Sequence, residues 1–181
     1  MTERDGPKLA AMIEAGVGSF LDATAGRAAA DSIPWHSGMM LPCATMTSLL
    51  VGEHLLHGYD VAAALEAPWT IDEAGARVAI LALLPFLPLT VDPLTAGDLE
   101  AGYEVEVDGG PHLLFCFGGG GLSLEPVDGR TSDCRLTGGT VAWLLALYGR
   151  VEWAELIDQG RVRVSGDPGL GARFKSLLQD I

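Results

Sequence analysis

The residues best suited to chemistry stand close together in the stretch GEHLLHGYD, residues 52–60. Glu53 and His57 are four residues apart, and Asp60 follows three residues later. Side chains four apart in a helix lie on one face, about 6 Å from each other. A carboxylate and an imidazole so placed can bind one divalent cation, with Asp60 as a third ligand or as a hydrogen-bond partner of the histidine. The same spacing is also typical of a solvated helix face with a local hydrogen bond. It indicates such a face more often than a metal site.

Two further features have a possible ligand role. His36 lies in IPWHS, a segment predicted to be a loop; a loop can carry a ligand towards a helix, although most loop histidines are simply exposed. The run FGGGGLS, residues 117–123, suggests a phosphate loop but lacks the Lys-Ser/Thr pair and the following helix of such a site. A tight turn or a bulge is therefore predicted there.

The composition restricts the class of protein. The 181 residues are 49% hydrophobic and carry a formal net charge of −13, which indicates a globular chain and disfavours nucleic acid or a polybasic membrane surface as partner. The longest apolar run, residues 78–89, is too short to span a bilayer and contains two prolines. The first residues lack a signal-peptide pattern, and the three cysteines show no zinc-like spacing. We therefore expect a reduced, cytoplasmic protein.

The hydrophobic period changes along the chain and predicts an α+β fold with two domains. Residues 1–90 show helical spacing, with a helix start at the capping box TIDE, where Thr70 is the expected N-cap. Residues 91–181 begin with alternation of period two in YEVEV, followed by a predicted hairpin, two more strands, and helices that include TVAWLLAL and a last one capped by Asp167.

The second half also offers a candidate ligand cavity. Large apolar side chains are predicted to lie between its sheet and its helices, among them Phe115, Phe117, Trp143 and Leu147. They would line a cavity for an apolar ligand or fill a dense core, and the filled core is the more common outcome.

The segment from IPWHS to EAPWTI resembles the mycothiol-dependent maleylpyruvate isomerase family, a branch of the DinB-like metal-binding bundles. The likeness is carried by Glu53, His57, the following Gly-Tyr-Asp, and EAPW. The segment from DCRLTGG to the C-terminus, with LYGR and GRVRVSGD, resembles the appended domain of that family, which is similar to sterol carrier protein type 2.

This resemblance implies a partial DinB-like bundle followed by a sterol-carrier-like domain. It further implies that Glu53 and His57 hold a divalent metal, with zinc expected, and that the thiol of mycothiol binds this metal. Arg150 of LYGR would then steer an acidic substrate, although a charge at a helix end is an equally good account of it. The family's earlier helices, one of which supplies another histidine, have no counterpart here.

A short bundle would expose apolar faces, so we expect a homodimer through the helical half that brings His36 of one copy towards Glu53 and His57 of the other. Three functions remain open: a metal-dependent thiol-cofactor isomerase or transferase, a carrier of an apolar ligand or lipid, and a non-catalytic member that acts through protein contacts.

Overall fold

The computed structural model describes residues 5–35 and 38–180 of the chain. Its contacts divide the chain into two compact units, residues 1–47 and residues 48–181. The helix α2, Cys43–Ala64, runs across this division. The sequence pattern placed a boundary near residue 90, where helices give way to strands, but the helical segment after residue 48 belongs to the same unit as the sheet.

The first unit contains one long helix and a small hairpin. Helix α1, Gly6–Thr24, begins after Asp5, whose carboxylate accepts a hydrogen bond from the Lys8 amide at 3.1 Å. Strands β1 (Ser32–Pro34) and β2 (Met40–Pro42) pair antiparallel. None of the α1 side chains is buried, and its apolar stripe is exposed over Leu9, Met12, Ile13, Val17 and Leu21.

The second unit is built from a sheet and several helices. Its elements after α2 are α3 (Glu73–Leu83), a 3-10 helix (Leu84–Thr90), α4 (Pro93–Ala96), β3 (Ala101–Asp108), β4 (His112–Gly118), β5 (Gly121–Pro126), β6 (Cys134–Gly139), α5 (Thr140–Leu147), α6 (Trp153–Asp158), β7 (Val162–Gly166), α7 (Pro168–Arg173) and a second 3-10 helix (Phe174–Leu177). The α+β class predicted from the sequence is confirmed.

The five strands form one mixed sheet in the order β5-β4-β3-β6-β7. The pair β3–β6 is parallel, with Tyr103 beside Cys134 and Val107 beside Gly138, and the other pairs are antiparallel. Along β3 the buried residues alternate with less buried ones, as YEVEV predicts, because successive side chains point to opposite faces of a sheet. The buried face packs against α3 and α5 and supplies the core.

The outer face of the sheet carries charges. Glu104 accepts a hydrogen bond from His112 at 2.8 Å, and Arg135 contacts the carboxylates of Glu104 and Glu106 at 3.5 and 2.5 Å. These pairs lie on neighbouring strands, where opposite charges stabilise pairing. One face of the sheet is thus apolar and buried, and the other is charged and faces solvent.

Several local predictions are confirmed. Strands β4 and β5 are joined by Gly119 and Gly120, both at positive φ, so the glycine run is a tight turn. Asp167 caps α7, since its carboxylate accepts from the Gly169 amide at 2.7 Å.

The predicted cap of α3 was wrong. Asp72, not Thr70, is the N-cap, and its carboxylate accepts a hydrogen bond from the Gly75 amide at 2.7 Å. Ile71 is buried just before the cap, which fixes the point where the chain turns into the helix.

The prolonged apolar stretch Glu73–Thr90 has a length and composition that would suit a membrane span, but a third of it is buried inside this protein.

Candidate functional site

Helix α2 brings the predicted metal ligands together on one face. The His57 Nε2 atom lies 3.1 Å from Glu53 Oε2, and its Nδ1 atom lies 3.7 Å from Asp60 Oδ2. The side chains of Glu53, His57 and Asp60 are 46%, 67% and 38% exposed, so this is a solvent-facing group. His54 points elsewhere and contacts the Leu50 carbonyl through Nδ1 at 2.7 Å. The four-residue spacing therefore places Glu53 and His57 next to each other, as predicted.

Arg150 reaches this face from the segment after α5. It donates from Nε to Asp60 Oδ1 at 3.1 Å and from Nη2 to Asp60 Oδ2 at 2.8 Å, which is a two-point ion pair. Its Nη1 donates to the Tyr148 carbonyl at 2.6 Å. The hydrogen bonds from Arg150 hold the pKa of Asp60 below its usual range, and Asp60 in turn raises the pKa of Arg150.

The ion pair between Arg150 and Asp60 leaves fewer side chains available as metal ligands than the sequence suggested. Both oxygens of Asp60 accept from Arg150, so this carboxylate is engaged as a partner of the arginine. Glu53 and His57 then remain as two adjacent donors. Within residues 5–35 and 38–180 no group of three or more His, Cys, Asp or Glu side chains is arranged to hold a metal ion. His36, the other predicted ligand, lies outside the described residues.

Tyr148 lies beneath this face and was not assigned a role from the sequence, although it belongs to LYGR. It is buried, and burial, with the nearby charge of Glu53, raises the pKa of its hydroxyl to about 12. A Cβ on Gly52 would lie 3.6 Å from the Tyr148 hydroxyl oxygen and 3.1 Å from the Ala79 Cβ, so Tyr148 lies beside α2 and the glycine before Glu53 allows α2 to approach α3 closely.

Two parts of the motif that resemble the isomerase family meet in space. A Cβ on Gly58 would overlap the indole ring of Trp69, the tryptophan of EAPW. Gly58 is therefore required for the close approach of Trp69 to α2.

A small apolar cavity lies between the sheet and the helices of the second unit. Its volume is about 20 Å³, and it is lined by residues of α3, the first 3-10 helix, β3, β4 and α5. Phe115, Trp143 and Leu147, three of the four predicted ligand-binding residues, belong to this wall. Phe117 does not, because its ring packs edge-on against Tyr103 with centroids 5.6 Å apart. The core is therefore nearly filled.

Trp143 combines this position with an unusual polar atom. The residue is 2% exposed, and its Nε1 is buried without a hydrogen-bond partner within the described residues. The neighbouring Trp153, by contrast, donates from its Nε1 to the Gly171 carbonyl at 2.8 Å. A buried donor that has no acceptor costs about 1–3 kcal/mol.

A larger depression of about 500 Å³ lies between the end of α5, α6 and the C-terminal segment. Its lining mixes apolar side chains with Glu152, Lys175 and Asp180. Lys175 already donates to Asp180 at 2.6 Å and to the Leu178 carbonyl at 3.2 Å. The depression is open, and its cationic group is engaged by the protein itself.

The fold defines an α+β domain whose mixed sheet is covered by helices on one face. The chain belongs to the family described as the MDMPI C-terminal domain (maleylpyruvate isomerase, C-terminal), whose profile matches residues 76–173. The resemblance stated from the sequence is confirmed for this part of the chain, and the match does not extend to the preceding helices. No curated protein sequence matches the chain.

Several solved structures are similar to this chain at low sequence identity. The sec-alkylsulfatase Pisa1 from Pseudomonas sp. is 16% identical over 55% of this chain, with a TM-score of 0.49, and a double mutant of PisA1 is 17% identical over 62%, with a TM-score of 0.51. The matches cover only 16% and 19% of those two chains. Sterol Carrier Protein 2 Like 2 from Aedes aegypti is 17% identical over 56% of this chain and 98% of its own, with a TM-score of 0.41.

Proposed function

We propose that the second unit binds a small apolar ligand between its sheet and the helices α3 and α5. The observation that carries this proposal is the cavity lined only by apolar residues, among them Phe115, Trp143 and Leu147. Ligand pockets are lined mostly by apolar and aromatic side chains, as this cavity is. A carrier of this kind needs no catalytic residue.

The ligand has to open the cavity in order to bind. A cavity of about 20 Å³ has room for about one water molecule, far less than any organic molecule requires. Three residues of the wall, Leu84, Pro111 and Leu113, are only partly buried. They mark the side on which the wall meets solvent, so movement of the first 3-10 helix away from the β3–β4 turn would enlarge the cavity from there.

Binding can be tested with isopropylbenzene, an apolar compound without a hydrogen-bonding group. We expect it to perturb the indole NMR signal of Trp143 in a saturable manner and to raise the unfolding temperature. Leu84→Ala removes part of the cavity wall and should tighten binding, because a vacated volume stays apolar. Leu122→Ala is the matched control, since Leu122 packs on the core outside the cavity. Equal affinities of the two variants, or no saturable signal, would exclude this site.

As a second candidate function we propose a divalent-metal site on α2. It is supported by the 3.1 Å approach of Glu53 to His57 and by the exposure of both side chains. Catalytic zinc usually has three protein ligands, and the described residues offer two once Asp60 is paired with Arg150. The fit is therefore incomplete. A third ligand from His36, a homodimer that supplies it, the cofactor mycothiol and a substrate-steering role of Arg150 remain predictions from the resemblance.

The metal content of the purified protein tests this second proposal. With zinc as the probe, we expect about one ion per chain. Glu53→Ala and His57→Ala should each lose it. His54→Ala is the matched control, because His54 lies on the same helix and contacts Leu50 instead. Equal zinc binding by the parent and the three variants would mean that any bound zinc lies outside the site formed by Glu53 and His57.

A further inference from the structure

We infer that the depression between the end of α5, α6 and the C-terminal segment binds a small carboxylic acid with an apolar body, whose carboxylate replaces that of Asp180 on Lys175. Asp180 is then a built-in competitor, which occupies the cation until a ligand displaces it. The depression shares no lining residue with the cavity between the sheet and the helices α3 and α5. The inference therefore does not depend on the proposed function.

The chain's own carboxylate defines the anion position of this site. Lys175 Nζ donates to Asp180 Oδ1 at 2.6 Å and to the Leu178 carbonyl at 3.2 Å. The Asp180 carboxylate also lies against Gly149, where a Cβ would be 2.6 Å from Oδ2 and 2.7 Å from Cγ. The position between Lys175 and Gly149 therefore accepts a carboxylate, and the absence of a side chain at Gly149 provides the room for it.

Asp180 can leave Lys175 without disturbing the rest of the fold. The backbone is anchored at the preceding residue, Gln179, whose amide donates to the Thr90 carbonyl at 2.7 Å. The side chain of Asp180 is 66% exposed, whereas that of Lys175 is 14% exposed. The cation is thus fixed in the wall and its partner reaches it from the solvent side. Ion pairs with an exposed member are weak, so a ligand carboxylate can compete for Lys175.

The remaining wall suits an apolar body. Its apolar members are Ala146, Val151, Trp153, Ala154, Ala172 and Leu178. The indole N–H of Trp153 already donates to the Gly171 carbonyl, so this ring offers only apolar surface. The volume of about 500 Å³ lies within the range of about 300–1,000 Å³ that is usual for small-molecule sites. A ligand can therefore enter without any opening of the structure.

The charges around the depression favour an anion beside Lys175 once Asp180 has moved away. Arg150 also lies near this position: after the larger effect of Asp60, the charge of Asp180 raises the pKa of Arg150. Glu152, the other acidic residue of the wall, is exposed, so solvent screens its repulsion. A neutral ligand of the same length would leave Asp180 in place and would gain no contact with the cation.

Octanoate and octanamide, which share one carbon chain, test this inference in calorimetric titrations. Octanoate should bind the parent protein more tightly than octanamide does. Asp180→Asn removes the competing charge and should tighten octanoate binding about fivefold, with octanamide binding unchanged. Asp158→Asn is the matched control and should bind octanoate as the parent does, because it removes the same charge at an exposed position outside the depression.

A second variant tests the cation itself. Lys175→Met keeps an unbranched side chain without the charge and should abolish the preference for octanoate over octanamide. If Lys175→Met does not fold, the comparison of Asp180→Asn with Asp158→Asn still decides. Unchanged octanoate binding in Asp180→Asn, or equal affinities of the parent for the two compounds, would overturn the inference.

The amide NMR signals of Gly149 and Ser176 locate the bound ligand, since both residues line the depression. Octanoate should move both signals in a saturable manner. Octanoate that binds without moving them lies elsewhere, and the inference is then wrong. Acetate that binds as tightly as octanoate would contradict the role of the apolar wall.

Discussion

The guanidinium of Arg150 binds both carboxylate oxygens of Asp60, at 3.1 and 2.8 Å, although the two residues are 90 positions apart. The pair joins α2 to the segment that follows α5. It also gives Asp60 a structural role within a motif where a metal role was expected.

The first prediction concerns the strength of this pair. Asp60→Asn and Arg150→Gln should each destabilise the protein, and their effects should not add, because either one breaks the same contact. We expect a coupling of about 0.5–1 kcal/mol, since both side chains are partly exposed and the pair is screened by solvent. Urea unfolding of the two single variants and the double variant measures it. Additive effects would mean that the ion pair contributes nothing to stability.

The same pair predicts a dependence on acid. The pKa of Asp60 is lowered in the folded state, so its contribution to stability is present above about pH 4 and is lost as the pH falls through the folded pKa. Asp60→Asn lacks this group and should lose less stability between pH 7 and pH 3 than the parent. The loss measured by urea unfolding would be the same in both proteins if Asp60 were an ordinary exposed carboxylate.

At alkaline pH the buried tyrosines should determine how the stability of the protein changes with pH. Burial raises the pKa of Tyr103 and of Tyr148 to about 12, while an unfolded tyrosine ionises at about 10. The unfolded state therefore loses protons first, and stability falls as the pH rises from about 10 to 12. After a rapid jump to pH 11, the tyrosinate absorbance of Tyr148 should develop only with unfolding, which comparison with Tyr148→Phe identifies. Immediate ionisation of Tyr148 would contradict its burial.

A packing prediction concerns Gly171 in α7. A Cβ there would overlap the side chain of Val164 on β7. Gly171→Ala should therefore destabilise the protein by about 1–3 kcal/mol, as overpacking does, despite the better helix propensity of alanine. The double variant with Val164→Ala should recover most of this loss in thermal unfolding. If the added Val164→Ala does not help, the clash is not the cause.

The predicted homodimer can be tested on α1. Its exposed apolar stripe includes Ile13, and a charge there should disrupt a helix–helix interface. We expect a dimer for the parent and a monomer for Ile13→Glu in sedimentation at micromolar concentration. Ala11→Glu, on the opposite side of the helix, is the control and should stay dimeric. A monomeric parent would dismiss the dimer.

Much of the fold follows from local patterns. The alternation in YEVEV, the cap at Asp167 and the turn at the glycine run each depend on a few neighbouring residues, and the structure confirms all three. The contact between Glu53 and His57 is local in the same sense, because the helix period alone places them together.

The remaining features depend on residues far apart in the chain. The spacing in α2 carries no information about Arg150, so the engagement of Asp60 could not be predicted. Likewise, the apolar composition around Trp143 indicates a core, but whether its N–H finds an acceptor depends on the strand register over Gly138. The cap at Asp72 was missed because TIDE fits the capping-box pattern at Thr70, whereas the helix begins two residues later, after the buried Ile71.

The order of the sheet has a consequence for how copies of this protein could meet. Its outer strands, β5 and β7, have only six and five residues, and β5 ends at Pro126, which has no amide hydrogen to donate. Short edges interrupted by proline or charge resist the addition of a further strand from another molecule. Growth of the sheet by addition of a strand from another copy is therefore disfavoured, which favours a helical surface such as α1 for the predicted homodimer.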